Sequence, residues 1–160
     1  MLYASVALLT GACAPHSAPS VTASEPLDLL AVELAAARHL VADDNDLRLV
    51  VHPAFSDSFS APGRPGPVRR DDSRTAALAH ALGAQVYAEP INAPKLAKGS
   101  AELILSEPVG RSDTVRITGT FGWYSDDRPR VGRGYRTVQM TLVRVGAEWR
   151  VTHSELLGIT

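Results

Sequence analysis

The last strand pattern of the chain carries a histidine that could act as a base. Trp149, Val151 and His153 alternate with Arg150 and Thr152, which is the spacing of one face of a β-strand. If that face lines a pocket, the His153 imidazole could accept a proton as a general base or hydrogen-bond a ligand. The alternative, which we favour, is a histidine at the edge of the core with one ring nitrogen satisfied.

An arginine-rich segment forms the second polar group of residues. Residues 126–134 contain Arg128, Arg130 and Arg133 beside two glycines. Guanidinium groups next to flexible backbone could hold a phosphate or a lipid headgroup, because their planar donor pattern matches such anions. The alternative, which we favour here too, is the solvated end of a hairpin, since two aspartates of the same segment would partly neutralise the arginines.

Motifs for other catalytic chemistry are absent from the sequence. His39 and Asp43 are four residues apart on a predicted helix, but a metal site needs three or four ligands and no HxxxH, HExxH or CxxC spacing occurs. No serine lies in a GxSxG motif. We therefore expect no metal site and no cofactor, and the sequence favours a non-catalytic domain over an enzyme.

Cys13 is the only cysteine, and it directly follows an uncharged, largely apolar run of residues 1–12. The string Leu9-Thr10-Gly11-Ala12-Cys13 resembles the lipobox of bacterial lipoproteins, in which small residues precede a cysteine that is lipidated and becomes the new N-terminus. The resemblance implies that residues 1–12 are a signal peptide, since they are too few for a transmembrane helix. It also implies that two or three acyl chains on Cys13 anchor the protein stably to a membrane.

The same resemblance implies a location in the bacterial cell envelope, membrane-anchored and facing away from the cytoplasm. Residues 13–23 are small, polar and proline-bearing, so we expect a flexible, lipidated tether followed by a single domain at 24–160. The alternative is an ordinary secretory signal cut after Ala23, which would give a soluble secreted or periplasmic protein.

Composition limits the partners that the domain can have. A net charge of −1 and a pI near 6.5 imply no bulk attraction to nucleic acid. The hydrophobic fraction of 45% is ordinary for a globular chain. A single cysteine excludes an intrachain disulfide framework, so the fold must depend on its core.

Hydrophobic spacing predicts two helices in the N-terminal half. Apolar residues recur at helical intervals over 27–41, and Ser24 is the expected N-cap. A second helix is expected at 74–82, closed by Gly83, and the β-branched run 47–52 predicts a short strand between the two helices.

From residue 101 onward the pattern changes to alternation of apolar and polar residues. The segments 115–124, 138–142 and 149–153 alternate and are separated by turn signals, which predicts an antiparallel meander with one buried face. The order of elements predicts an α+β fold in which two helices pack on a curved antiparallel β-sheet meander.

The hairpin pattern of Val138–Val151 (Val-Gln-Met-Thr-Leu-Val-Arg-Val-Gly-Ala-Glu-Trp-Arg-Val) resembles the last hairpin of nuclear-transport-factor-like domains, a group that includes polyketide-cyclase-like proteins. The resemblance implies a cone-shaped sheet. In enzymes of that fold an Asp–His or Tyr–Asp pair often lines the cone, so the resemblance makes His153 the candidate for such a role.

These patterns favour an envelope lipoprotein whose non-catalytic domain is held at a membrane and binds an envelope protein or a small apolar ligand. The alternative is a small cone-fold enzyme, hydrolase-like or isomerase-like, with His153 as general base. A third hypothesis, an assembly role, predicts a large exposed apolar patch. A solid core beneath the sheet would argue against the enzyme, and an open pocket containing His153 would favour it.

Overall fold

The computed structural model describes residues 27–43, 46–55, 69–87, 97–125 and 132–160. These residues form two helices, α1 (Leu29–Val41) and α2 (Asp72–Ala81), and the strands of one sheet. The strands are, in chain order, β1 (Arg48–Val51), β2 (Gln85–Val86), β3 (Ser100–Leu105), β4 (Val109–Gly110), β5 (Thr114–Ser125), β6 (Gly132–Val145) and β7 (Glu148–Ile159).

The sheet has the strand order β2-β1-β3-β5-β6-β7, and β4 pairs with β5 beside the main path. Strand β1 runs parallel to both β2 and β3, whereas the other pairings are antiparallel. The consecutive strands β5, β6 and β7 form the expected meander. The predicted α+β fold is confirmed: two helices pack on a curved, mostly antiparallel sheet that does not close.

The core lies between the helices and one face of the sheet. Alternate residues of β5 and β6 point to this face because successive side chains of a strand point to opposite sides. The apolar side chains that meet there are almost fully buried: Val32, Ala36 and Leu40 of α1, Leu78 of α2, Val115 and Ile117 of β5, and Met140 and Leu142 of β6. The helix-covered face is therefore a packed apolar core at these residues.

Both helices begin at aspartates. The side chain of Asp28 accepts a hydrogen bond from the backbone N–H of Ala31 at 3.0 Å and caps α1, while the expected cap Ser24 lies outside the described residues. Asp71 caps α2 in the same way, through the N–H of Arg74 at 3.0 Å. The second helix ends as predicted, with Gly83 at a φ of 63°, a conformation that glycine adopts without strain.

A buried ion pair joins the two helices. The Nε of Arg70, just before α2, lies 2.9 Å from Oε1 of Glu33 in α1, and both side chains are 0% exposed. The Nε of Arg74 lies 3.3 Å from the other oxygen of Glu33. Arg70 also donates from Nη1 to the backbone carbonyl oxygen of His52 at 2.9 Å. One arginine thus ties α1 and the start of α2 to the end of β1.

Candidate functional site

A carboxyl group is buried on the face of the sheet opposite the helices, which we call the outer face. Glu102 of β3 is 1% exposed, although its neighbours Ala101 and Leu103 are the residues that alternation directs toward the core. Across the sheet, Glu102 pairs with Gly122 of β5, and Gly122 pairs with Tyr135 of β6. Alternation therefore places Glu102 and Tyr135 on the same face, with a glycine between them.

The glycine makes room for the tyrosine ring. A Cβ atom at Gly122 would lie 2.5 Å from Cε1 of Tyr135 and 3.0 Å from Cγ of Glu102. Both distances are shorter than ordinary van der Waals contact, so a larger residue at this position would displace the ring. The absence of a side chain at Gly122 is what allows the Tyr135 ring to pack close to Glu102.

Burial raises the pKa of the Glu102 carboxyl, because removal from water penalises the charged form. The Tyr135 hydroxyl and the Arg133 guanidinium counteract this effect in part. The hydroxyl of Tyr135 is near enough to lower the pKa of Glu102. Among the described residues, however, neither carboxylate oxygen of Glu102 has a hydrogen bond of standard geometry. The carboxyl therefore keeps its proton up to a higher pH than an exposed glutamate does.

The phenol of Tyr135 is perturbed as well. Burial raises the pKa of Tyr135, and the charge and hydrogen bonding of Glu102 raise it further. Tyr87 acts on the pKa of Tyr135 in the same direction, so Tyr87 belongs to the same electrostatic neighbourhood. At neutral pH the phenol of Tyr135 therefore keeps its proton and can donate a hydrogen bond.

A histidine stacks on Tyr87 at the far side of this group. The pairing of β1 with β2 continues past the strands, where Tyr87 donates its N–H to the carbonyl oxygen of Val51 at 3.0 Å. The His52 and Tyr87 rings stack with centroids 5.2 Å apart and an interplanar angle of 22°. His52 is two residues after Val50, the register partner of Glu102, and so lies on the same face.

His52 is held as a neutral imidazole. Burial lowers the pKa of its side chain, and the positive charge of Arg70 acts in the same direction. Its Nδ1 accepts a hydrogen bond from the backbone N–H of Ala54 at 3.3 Å, so the proton of the neutral ring resides on Nε2. We refer to Glu102, Tyr135, Tyr87, His52 and Arg133 as the Glu102 cluster.

Of the three arginines that are candidates for binding an anion, only Arg133 lies within the described residues. Its guanidinium stacks over the ring of Tyr124 with 4.6 Å between Cζ and the ring centroid. The positive charge of Arg133 lowers the pKa of Glu102. Arg128 and Arg130 lie outside the described residues. The anion-binding role of the three arginines stays a prediction.

His153 does not lie on the face of β7 that regular alternation predicts. It pairs with Thr141, whereas Val151 pairs with the next residue of β6, Leu142, so β7 carries a bulge with Thr152 as the extra residue. The bulge reverses the alternation, and the exposed His153 shares the outer face of Thr141 rather than the core face of Trp149.

Next to His153, the outer face has a shallow concavity. Its volume is about 520 Å³, and Thr118, Gln139 and Thr141 are among the residues that line it. The role of His153 as a general base stays a prediction. The prediction that His153 lies on the same face of β7 as Trp149 was wrong.

Two further expectations concern the N-terminus and metal ions. Cys13, with the lipobox-like segment and the tether, lies outside the described residues. Within the described ranges, no helix is long and apolar enough to cross a membrane. In the same ranges, no group of three or more histidine, cysteine, aspartate or glutamate side chains is placed to hold a metal ion.

Sequence reasoning missed Glu102 and did not distinguish His52 from the other histidines. A signal existed for each: Glu102 interrupts the otherwise apolar run 101–105, and His52 ends the β-branched run of β1. Polar residues inside strand patterns are usually taken as solvent-facing. The burial of these two depends on pairing between segments that are distant in sequence.

No known family matches this chain, and no curated protein is similar to it. One solved structure is similar, that of a protein from Novosphingobium aromaticivorans provisionally described as a scytalone dehydratase. The two share 16% sequence identity over 82% of this chain and 78% of the other, with a TM-score of 0.28. At these values the similarity assigns neither a family nor an activity to this chain.

Proposed function

We propose that this chain is a membrane-anchored, non-catalytic binding protein of the bacterial cell envelope, and that its domain binds a small molecule at the Glu102 cluster. The observation that supports this most directly is the Glu102 carboxyl, 1% exposed and without a hydrogen bond of standard geometry among the described residues. Buried polar groups are almost always hydrogen-bonded, so a ligand atom that supplies the missing partner would be favoured at this carboxyl.

The chemistry of the cluster favours a ligand with a hydrogen-bond acceptor. The raised pKa of Glu102 extends the pH range over which its carboxyl is protonated and can donate a hydrogen bond, and the hydroxyl of Tyr135 is a second donor. The rings of Tyr87 and Tyr135 offer flat apolar surfaces that suit an aromatic ring. A small, mostly apolar molecule with one carbonyl or hydroxyl oxygen fits this combination.

A matched pair of probes tests this proposal. Acetophenone carries a carbonyl oxygen on an aromatic ring, and ethylbenzene has nearly the same shape without the oxygen. We expect acetophenone to shift the amide resonances of Gly122 and Tyr135 saturably in ¹H–¹⁵N NMR spectra. We expect its affinity to be at least about tenfold higher than that of ethylbenzene, the value of one good hydrogen bond.

Two glycine variants control the same experiment. Gly122→Ala should weaken acetophenone binding, because its Cβ displaces the Tyr135 ring. Gly158→Ala should not, because a Cβ at that position has no atom within 4 Å. Equal affinity for the two probes, or acetophenone binding that is insensitive to Gly122→Ala, would count against a site at the Glu102 cluster.

Acid–base catalysis is the second candidate function, because the pKa of Glu102 is raised while that of His52 is lowered. Binding is favoured over catalysis, since the tautomer of His52 presents a donor rather than a basic nitrogen. Glu102→Gln tests whether binding needs only a donor: the amide still donates a hydrogen bond but transfers no proton. A binding protein keeps its acetophenone affinity within about threefold in this variant, since a donor remains.

The membrane anchor is the other half of the proposal. The string Leu9–Cys13 supports lipidation of Cys13, with residues 13–23 as the tether and 24–160 as the domain. The partners proposed are the membrane, through this lipid, and an envelope protein or the small ligand, but not nucleic acid. A secreted or periplasmic form without lipid is the alternative.

Metabolic labelling tests the anchor independently of any ligand. Radiolabelled palmitate should be incorporated into the full chain expressed in a bacterial host, and Cys13→Ser should abolish the label. A wild-type chain that stays unlabelled and soluble while being exported would support the secreted alternative and exclude the anchor.

A further inference from the structure

A groove lies between helix α1 and the turn that joins β6 to β7, on the opposite side of the sheet from the Glu102 cluster. Its volume is about 560 Å³, within the range of small-molecule sites in proteins. Its floor is apolar and consists of Ala31, Leu34, Ala35, Trp149 and Val151. Leu34 is half-buried and Trp149 is 8% exposed, so the floor of the groove consists of side chains that pack into the fold.

The rim of the groove carries more positive than negative charge. Arg38 and His39, in the last turn of α1, line one side and are exposed, and Arg150 of β7 lines the other. Among the described residues of the lining, Glu148 is the one acidic residue, and its Oε2 lies 3.1 Å from Nη2 of Arg150. Both of these side chains are more than half exposed, so their ion pair is weak. Arg150 can therefore readily bind another anion in place of Glu148.

We propose that this groove binds a single-chain anionic amphiphile, namely a long-chain fatty carboxylate. The acyl chain would lie on the apolar floor, where it would cover side chains that now face water. The carboxylate would lie at the rim, because a guanidinium recognises a carboxylate with two parallel hydrogen bonds. An apolar floor with an excess of cations along its rim is complementary to this ligand in both charge and polarity.

Fluorine NMR tests the groove directly. The two tryptophans of the chain can be replaced by 5-fluorotryptophan, which gives one resonance for Trp149 in the groove and one for Trp123 in β5. Laurate, added as a monomer, should shift the Trp149 resonance saturably and leave the Trp123 resonance in place. Dodecanol, which has the same chain without the charge, should bind at least about tenfold more weakly.

Paired arginine variants test the role of the rim. Arg38→Gln/Arg150→Gln should weaken laurate binding by at least about tenfold, because both guanidinium groups are removed. The control Arg111→Gln/Arg116→Gln removes the same charge from exposed residues outside this groove and should leave the affinity unchanged. An equal loss in both pairs would show a non-specific charge effect and overturn the proposal.

Two other results would overturn it. Equal binding of laurate and dodecanol would show that the rim does not recognise the carboxylate. A Trp149 shift that appears only with phosphatidylglycerol vesicles, and not with monomeric laurate, would make the groove a membrane-contacting surface instead of a fatty-acid site.

Discussion

Arg70→Met should lower the free energy of unfolding by about 3–5 kcal/mol, the usual cost of removing one partner of a buried ion pair. The reason is that Glu33 stays in place with 0% exposure and loses the guanidinium that lies 2.9 Å away. Arg74 touches the same carboxylate but lies farther off, at 3.3 Å, and cannot take over both oxygens. Urea denaturation followed by circular dichroism measures the change.

Two comparisons isolate the ion pair as the cause. The double variant Glu33→Leu/Arg70→Met should be more stable than Arg70→Met alone, because it removes the fully buried carboxylate. Only Arg74, whose side chain is 19% exposed, then loses its partner. Arg150→Met breaks the exposed pair with Glu148 and should cost no more than about 1 kcal/mol. If Arg70→Met were no more costly than Arg150→Met, the buried pair would not be holding α1 and α2 together.

Glu102→Gln should stabilise the protein at neutral pH, because glutamine carries no charge that burial penalises. The gain is about 1.4 kcal/mol for each pH unit by which burial raises the pKa of the carboxyl. The pKa of the folded-state carboxyl is raised, so the native protein holds a proton that the unfolded chain releases above its ordinary value of 4.5. Stability therefore falls as the pH rises above 4.5, and glutamine removes this loss. Below that pH the variant and the wild type should have similar stabilities.

The measurement is urea denaturation of both proteins between about pH 4 and pH 8, with the difference plotted against pH. Glu107→Gln, at an exposed glutamate, is the matched control and should show no such pH-dependent difference. His52 affects both proteins alike: its lowered pKa makes stability fall as the pH drops below 6.5, the opposite direction from Glu102. If the difference in stability between Glu102→Gln and the wild type did not vary with pH, the pKa of Glu102 would not be raised.

Local patterns in the sequence predict the helices and the meander because each depends on neighbouring residues. Helical spacing over 27–41 and alternation in 115–124 are visible without knowing the partners of these segments. The parallel pairing of β1 with β2 and β3 is different, since it joins residues that are dozens of positions apart. Nothing in the short run 47–52 indicates which strands flank it.

The candidate site was harder to predict for the same reason. Glu102 and Tyr135 face each other only because Gly122 is the register partner of both. His153 was placed on the wrong face because the one extra residue at the bulge reverses the alternation of β7. Arg133 was identified in advance from the arginine-rich segment, but its contact with Tyr124 depends on the pairing of β5 with β6.

A ¹³C NMR titration of the Glu102 side-chain carboxyl, with and without acetophenone, tests the proposed binding site most directly. Burial predicts a midpoint above the ordinary 4.5, and a carbonyl that accepts a hydrogen bond from the protonated carboxyl should raise the midpoint further. Ethylbenzene should raise it less. A midpoint at 4.5 that neither probe changes would contradict the proposed ligand site at the Glu102 cluster.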